Sequence, residues 1–176
     1  MKTFLILDSA RCGAERIDEA KALCNQAPGI IFPLSRNELY LESVAPYLFL
    51  SENALKEWYS ENGWGDCWGV FFDTEASYEA CLLHFQRIVI RKDERGSRYF
   101  RFYDPRVLRK YLFACDKNKL GELFGPVEAF VMEGDDKETG IQFTLVNGEL
   151  KQNEITSASL FGLTERTSAK NFPEYR

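Results

Sequence analysis

The sequence predicts an α+β fold, in which a single domain contains a mixed, largely antiparallel β-sheet flanked by helices and ends in a short C-terminal appendage. Short apolar runs at residues 4–7 and 67–72 are typical of buried strands, and segments with helical spacing of apolar residues lie between them. A hairpin pattern around residues 87–103 favours antiparallel pairing. The 176 residues, 45% of them hydrophobic, suffice to bury one core.

The first half of the chain is predicted to alternate strands with helices. Strands are expected at residues 3–7, 29–32, 47–50 and 67–72, and helices at 14–25, 52–61 and 76–85. The helix at 52–61 places Leu55 and Tyr59 inward and ends at Asn62-Gly63, a common C-terminal signal. Thr74 or Ser77 is expected to cap the helix at 76–85.

The second half begins with the predicted hairpin, whose strands at 87–92 and 97–103 flank a turn at 93–96. Ile88 and Ile90 are expected to share a face with Phe100 and Phe102. A helix from residue 105, a short helix at 119–124 and strands at 129–133 and 140–146 follow. We expect residues 1–150 to form the domain and residues 151–176 a polar tail.

The segment YFRFYDPRVLRKYL, residues 99–112, joins the hairpin to the next helix. Alternation places Arg101 between two tyrosines on one strand face, one of them Tyr103. Asp104 is predicted to be the N-cap of the helix and Pro105 its first residue, where the missing N–H costs nothing. The helix then leaves three cations on its polar side: Arg106, Arg109 and Lys110. From the residues alone, this segment is an ordinary strand-to-helix corner.

Charge is distributed unevenly along the chain. The net charge is −5, yet residues 86–110 contain nine basic residues and three acidic ones, so that window is +6 and the remainder −11. Such a basic segment on an acidic body is typical of a docking face for an acidic or polar partner. A solvated hairpin whose cations protect an exposed strand edge explains the same pattern.

The cysteines and the N-terminus indicate a cytoplasmic protein. Five cysteines are scattered without a C-x-x-C pair, which favours free, reduced thiols. The apolar run at residues 4–7 is too short for a signal sequence or a membrane span. We expect no membrane association.

The residues offer little for catalysis, metal binding or nucleic-acid binding. His84 is the single histidine, and turn or cap roles explain Asp66 and Asp104. Clustered Cys and His are lacking, and Trp64 would obstruct a phosphate loop, so no metal, cofactor or small-molecule substrate is expected. Arg and Tyr at 98–103 suit base stacking, but the net negative charge argues against nucleic acid.

Five motifs occur in a fixed order: VAPYL (44–48), GWG (63–65), WGVF (68–71), FRFYDPRVL (100–108) and LFGPV (123–127). In this order they resemble the bacterial type VI secretion adaptor family, over about residues 3–146. The resemblance implies a non-catalytic adaptor or chaperone that binds a toxic effector protein and the VgrG spike protein. Alternatives are a small hydrolase or transferase with Asp104 or Asp66 as base, and a single-stranded nucleic-acid binder.

Trp, Tyr and Arg are the residues most often found at binding hot spots. Trp64 is expected to be exposed, whereas Trp58 and Trp68 are expected in the core. The predicted partner-binding residues are Trp64, Arg91, Arg98, Arg101, Tyr103, Arg106, Arg109 and Lys110.

Overall fold

The computed structural model describes residues 1–33, 36–93 and 96–162. Seven strands form one sheet in the order β2-β3-β1-β4-β7-β8-β9, and two more form a separate ribbon. The strands are β1 (Lys2–Asp8), β2 (Gly29–Ile30), β3 (Pro46–Leu50), β4 (Gly69–Thr74), β5 (Ile90–Asp93), β6 (Gly96–Tyr99), β7 (Ala129–Glu133), β8 (Thr139–Val146) and β9 (Glu149–Thr156). Every pairing among these strands is antiparallel.

Helices cover both faces of the sheet. They are α1 (Ser9–Cys12), α2 (Ala14–Ala22), α3 (Asn53–Asn62), α4 (Tyr78–Ile88), α5 (Pro105–Ala114), α6 (Lys117–Phe124) and α7 (Ser157–Phe161), with a 3₁₀ helix at Arg36–Val44. The predicted α+β class and the largely antiparallel, helix-flanked sheet are confirmed.

One face of the sheet carries a row of aromatic side chains. Phe4, Phe72, Phe130 and Phe143 lie opposite one another in register across β1, β4, β7 and β8. All four are buried, and Phe72 contacts Phe85 of α4 with ring centroids 4.9 Å apart. Phe124 of α6 contacts Phe130 with ring centroids 5.1 Å apart, so α4 and α6 both cover this face.

The opposite face is covered by α2, α3 and α7. Tyr59 of α3 meets Phe71 edge to face at 5.1 Å, and Phe161 of α7 lies 5.9 Å from the same ring. Ile17 and Ala20 of α2 are fully buried as well. Residues on alternate sides of the same strands therefore build two apolar layers.

The observed hairpin has shorter strands than the sequence predicted. Residues 87 and 88 form the last turn of α4, and β6 ends at Tyr99. Phe102 then turns inward and stacks on Phe85 at 5.0 Å, while the Phe102 N–H donates to the Phe100 carbonyl. The expectation of a continuous strand face at residues 97–103 was wrong, because burial of Phe102 against α4 bends the chain before the helix.

The C-terminal region contains structure that the sequence did not predict. The strand β9 pairs with β8 along eight residues, and α7 follows, so the predicted boundary at residue 150 falls inside a strand. The pattern failed because β9 is an edge strand with mostly exposed, polar side chains, whose pairing is made by its backbone. The remainder of the predicted tail, residues 163–176, lies outside the described residues.

Candidate partner-binding site

The corner before α5 is organised by a buried carboxylate. Asp104 is 2% exposed, and its Oδ1 accepts a hydrogen bond from the Arg106 backbone N–H at 3.0 Å. Pro105 is the first residue of α5, so the predicted N-cap and proline position are both confirmed.

Two arginines cover buried carboxylates at this corner. The Arg106 guanidinium donates to both oxygens of Asp104, from Nε at 3.0 Å and from Nη2 at 2.7 Å. Arg101 donates from Nη2 to Oδ2 of Asp8 at 2.5 Å and lies 3.7 Å from Asp104. Burial alone would raise the pKa of Asp104, but hydrogen bonds from Arg106 and the charges of both arginines outweigh it and lower that pKa.

A third buried carboxylate, Glu133, anchors the loop between α3 and β4. Glu133 accepts from the Cys67 backbone N–H at 2.9 and 3.1 Å, and the Tyr59 hydroxyl donates to it at 3.4 Å. Burial raises the pKa of Glu133 although these N–H groups oppose the shift. Cys67 has φ +55°, and the Glu133 contact holds its backbone in this left-handed conformation, which non-glycine residues seldom adopt.

Four of the recognised motifs meet at this end of the sheet. The Asp8 N–H donates to the Trp68 carbonyl at 2.8 Å, and the Ser9 N–H donates to the Ala45 carbonyl at 3.4 Å. Because β1, β4 and β7 are mutually antiparallel, the C-terminal ends of β1 and β7 lie beside the N-terminal end of β4. VAPYL, WGVF and FRFYDPRVL thus meet around Asp8, and GWG lies at the same end of the sheet, where the Gly65 backbone N–H binds Glu133.

The cleft at this corner is small. It has a volume of about 80 Å³ and is lined by Cys67, Pro105, Arg106, Arg109, Met132, Glu133 and Gly134. Typical small-molecule sites occupy roughly 300–1,000 Å³. Hydrogen bonds already occupy the Asp104 and Glu133 carboxylates. The buried corner therefore holds the exposed residues around it in place.

Trp64 is buried, so its prediction as an exposed binding residue was wrong. Its indole N–H donates to the Lys137 carbonyl at 2.9 Å, and its ring meets Phe161 edge to face at 5.1 Å. The flanking glycines fit this arrangement, because Gly65 has φ +92° and a Cβ at Gly63 would press against the Tyr59 ring. The GWG motif therefore packs the loop onto the sheet.

The other tryptophans are less buried than expected. Trp58 and Trp68 are half-buried at the margin of the core, and their ring centroids lie 6.3 Å apart. The Trp58 indole N–H donates to Glu19 at 3.0 Å. Both pack against the core as predicted, but Trp64 is the most buried of the three, because spacing along the chain does not reveal which side of a loop turns inward.

The remaining predicted binding residues separate by exposure. Tyr103 is 2% exposed and belongs to the core, which corrects its assignment to a docking face. Arg91 is half-buried, with its guanidinium 4.3 Å from the Phe100 ring centroid and 4.7 Å from that of Tyr111. The outward-facing cations are Arg98, Arg101, Arg106 and Lys110, with Arg109 half-exposed and paired to Asp135 at 2.9 Å.

His84 occupies a packing role. A ring nitrogen, Nε2, lies 3.0 Å from the Leu123 carbonyl, and burial lowers the pKa of the imidazole. Across the described ranges, no three His, Cys, Asp or Glu side chains are grouped so that they could hold a metal ion. None of the helices in those ranges combines the length and apolar character needed to cross a bilayer.

Comparison with known protein families gives one match. The model of a family described as a domain of unknown function, DUF4123, matches residues 3–122. The chain belongs to the DUF4123 family. Neither the curated proteins nor the solved structures contain a match to it.

In this DUF4123 chain, the structure also reveals site residues that the sequence analysis did not select. Asp8 and Glu133 complete the buried network, and Phe113 of α5 is 62% exposed. The sequence could have identified Asp8, because it is a carboxylate that directly follows an apolar strand. No sequence pattern identifies Glu133, because its partner Cys67 is 66 residues away.

Proposed function

We propose that this DUF4123 protein is a non-catalytic adaptor that binds a type VI secretion effector and helps load it onto the VgrG spike. The observation that carries the proposal is the meeting of VAPYL, GWG, WGVF and FRFYDPRVL at one end of the sheet. These motifs carry most of the resemblance to the adaptor family, and all four lie within the family match at residues 3–122.

The state of the carboxylates favours binding over catalysis. A general base needs an accessible carboxylate whose pKa is near the working pH. Asp104 is buried beneath Arg106, and its pKa is lowered. The adjoining cleft of about 80 Å³ is small for a substrate. This arrangement weighs against the alternative in which Asp104 acts as a base.

The exposed cations define a docking face that is narrower than the sequence suggested. Arg98 on β6 and Lys110 on α5 are exposed. The side chains of Arg106 and Arg101 are 52% and 45% exposed. Each also neutralises a buried carboxylate, Asp104 and Asp8 respectively. Replacing Arg101 or Arg106 would therefore disturb the fold as well as the surface. The binding test uses Arg98 and Lys110, because both belong to the predicted face and are exposed.

The test is a pull-down of purified effector and purified VgrG from the same bacterium. The wild-type chain is expected to retain both proteins, and Arg98→Glu/Lys110→Glu to retain less of at least one, with a loss that diminishes as salt rises. Lys2→Glu/Lys117→Glu is the matched control, because it changes the same charge at exposed positions elsewhere. Failure of the wild-type chain to retain either protein would overturn the proposed function.

A further inference from the structure

The strand β9 leaves one side of the sheet open. All eight of its residues pair with β8, and within the described ranges no strand lies on its other side. An edge of this length presents alternate backbone N–H and C=O groups that an additional strand can bind. Natural edges are often protected by charged residues, and β9 carries Glu149, Lys151 and Glu154.

A groove runs beside this edge, on the face of the sheet that carries Phe143. It has a volume of about 510 Å³ and is lined by Arg109, Phe113, Gly134, Asp135, Asp136, Thr139, Ile141, Gln152 and Glu154. Phe113 is 62% exposed and contacts the buried Phe143 ring at 5.8 Å. An exposed aromatic ring that rests on an apolar floor offers a large apolar contact area, and aromatic side chains dominate the energetics of interfaces.

The charged residues of the groove are mainly acidic. Asp135, Asp136 and Glu154 face a single cation, Arg109, which already pairs with Asp135. Asp136 is also occupied, since it accepts the Glu138 and Thr139 N–H groups at 2.9 Å. Glu154 is the third acidic residue and lies on β9, opposite Ile141 of β8 in register. An acidic side chain and an apolar one therefore lie side by side next to the open edge.

We propose that this groove docks an extended, positively charged segment of a partner protein, which adds a strand to β9. Main-chain hydrogen bonds to β9 supply the alignment. An apolar side chain of the segment packs against Phe113, and a lysine or arginine lies near Glu154. The inference rests on the proposed adaptor function.

The first experiment compares two double variants for binding to purified effector and to purified VgrG, each measured separately by calorimetry. Phe113→Ala/Glu154→Lys is expected to weaken the affinity for one of them about tenfold or more. Leu83→Ala/Glu57→Lys is the matched control, because it makes the same kinds of change at exposed positions that do not line the groove. Leu83 is 54% exposed on α4, and Glu57 is exposed on α3, which covers the opposite face of the sheet. The control is expected to change affinity less than twofold, roughly the effect of ordinary surface substitutions. Circular dichroism and thermal melting establish that both variants fold.

The second experiment is amide hydrogen exchange of the full chain, free and bound to the same partner. Amides of residues 149–156 are expected to include a fast-exchanging, solvent-facing set in the free protein, which becomes protected in the complex. If that set is already slow in the free protein, the chain itself covers the edge and the proposal is wrong.

The results separate the two proposals. If the wild-type chain binds neither effector nor VgrG, the adaptor function fails. If the wild-type chain and the groove variant bind equally well, the adaptor function stands and the groove proposal is overturned.

Discussion

Arg101 and Asp8 join two segments that are 93 residues apart in the chain, through a hydrogen bond of 2.5 Å between Nη2 and Oδ2. Asp8 ends β1 and is 1% exposed, whereas the Arg101 side chain is 45% exposed. Asp8 also accepts the Ala10 N–H as the N-cap of α1. One carboxylate thus ends β1, caps α1 and fixes the corner that leads to α5.

Arg101→Met is expected to lower the free energy of unfolding by about 2 kcal/mol, because it leaves the Asp8 carboxylate buried without its cation. The expected loss is below that of a fully buried pair, since half of Arg101 is in solvent. Urea unfolding at pH 7 measures it. Adding Asp8→Asn should recover part of the loss, because Asn keeps the acceptor for Ala10 and removes the charge. Without such recovery, Arg101 stabilises the corner through packing alone.

Asp104 combines a helix cap with an ion pair, and two substitutions separate their contributions. Asp104→Ala removes both and is expected to cost about 2 kcal/mol, whereas Asp104→Ser restores the cap, worth about 1 kcal/mol. The residual deficit of the Ser variant then measures the Arg106 pair. Thermal unfolding at pH 7 provides these values, and equal deficits for Ala and Ser would mean that the cap contributes nothing.

The Asp104 contribution depends on pH in a defined direction. Arg106 and Arg101 lower the pKa of Asp104 in the folded protein, despite burial. The stabilisation is therefore complete above the ordinary aspartate pKa of about 4 and is lost as pH falls through the lower folded value. The stability difference between wild type and Asp104→Asn should narrow below pH ~4. A difference that stays constant there would contradict the lowered pKa.

Glu133 should show the opposite dependence. Burial raises the pKa of Glu133 in the folded protein, so the unfolded chain releases this proton first as pH rises. Wild-type stability should therefore decline relative to Glu133→Gln between pH ~4.5 and pH 7. Glutamine keeps an acceptor for the Cys67 N–H. Glu133→Ala does not and should be less stable at every pH, by about 1–3 kcal/mol. Parallel stability curves for wild type and Glu133→Gln would rule out the shift.

All five cysteines are free in the structure, and their reactivity should differ. Burial and the nearby carboxylates raise the pKa of Cys12 and Cys67 to about 11, so both remain protonated at pH 8. The thiolate is the reactive form, which predicts slow labelling of these two in the native protein and five rapid equivalents after unfolding without reductant. Cys67→Ser should remove one slow equivalent. Fewer than five equivalents in the unfolded protein would indicate a disulfide.

The sequence predicted the buried elements well, because their patterns arise from burial. The strand at 129–133 and the cap at Asp104 match the structure residue for residue. By contrast, β9 escaped prediction because an edge strand is specified by backbone pairing, which leaves little periodicity in the side chains. The orientation of Trp64 failed for a related reason: Lys137, which accepts its indole N–H, is 73 residues away.

The predicted binding face was only partly recoverable from composition. Counting cations between residues 86 and 110 located a positively charged segment, yet Arg101, Arg106 and Arg109 each meet a carboxylate in the fold. Two of those carboxylates, Asp8 and Asp135, lie outside the counted window. A local charge count therefore overstated the positive potential of the surface.

The ladder between β4 and β7 aligns three residue pairs, from Phe71↔Val131 to Asp73↔Ala129. The family match ends at residue 122, before β7 begins, so this ladder joins the matched segment to the three strands that follow it. A fragment cut at the end of the match would expose the edge of β4 and strip Phe130 from the aromatic row. The segment that the family model matches is thus shorter than the segment whose strands form one sheet, and expression boundaries should follow the sheet.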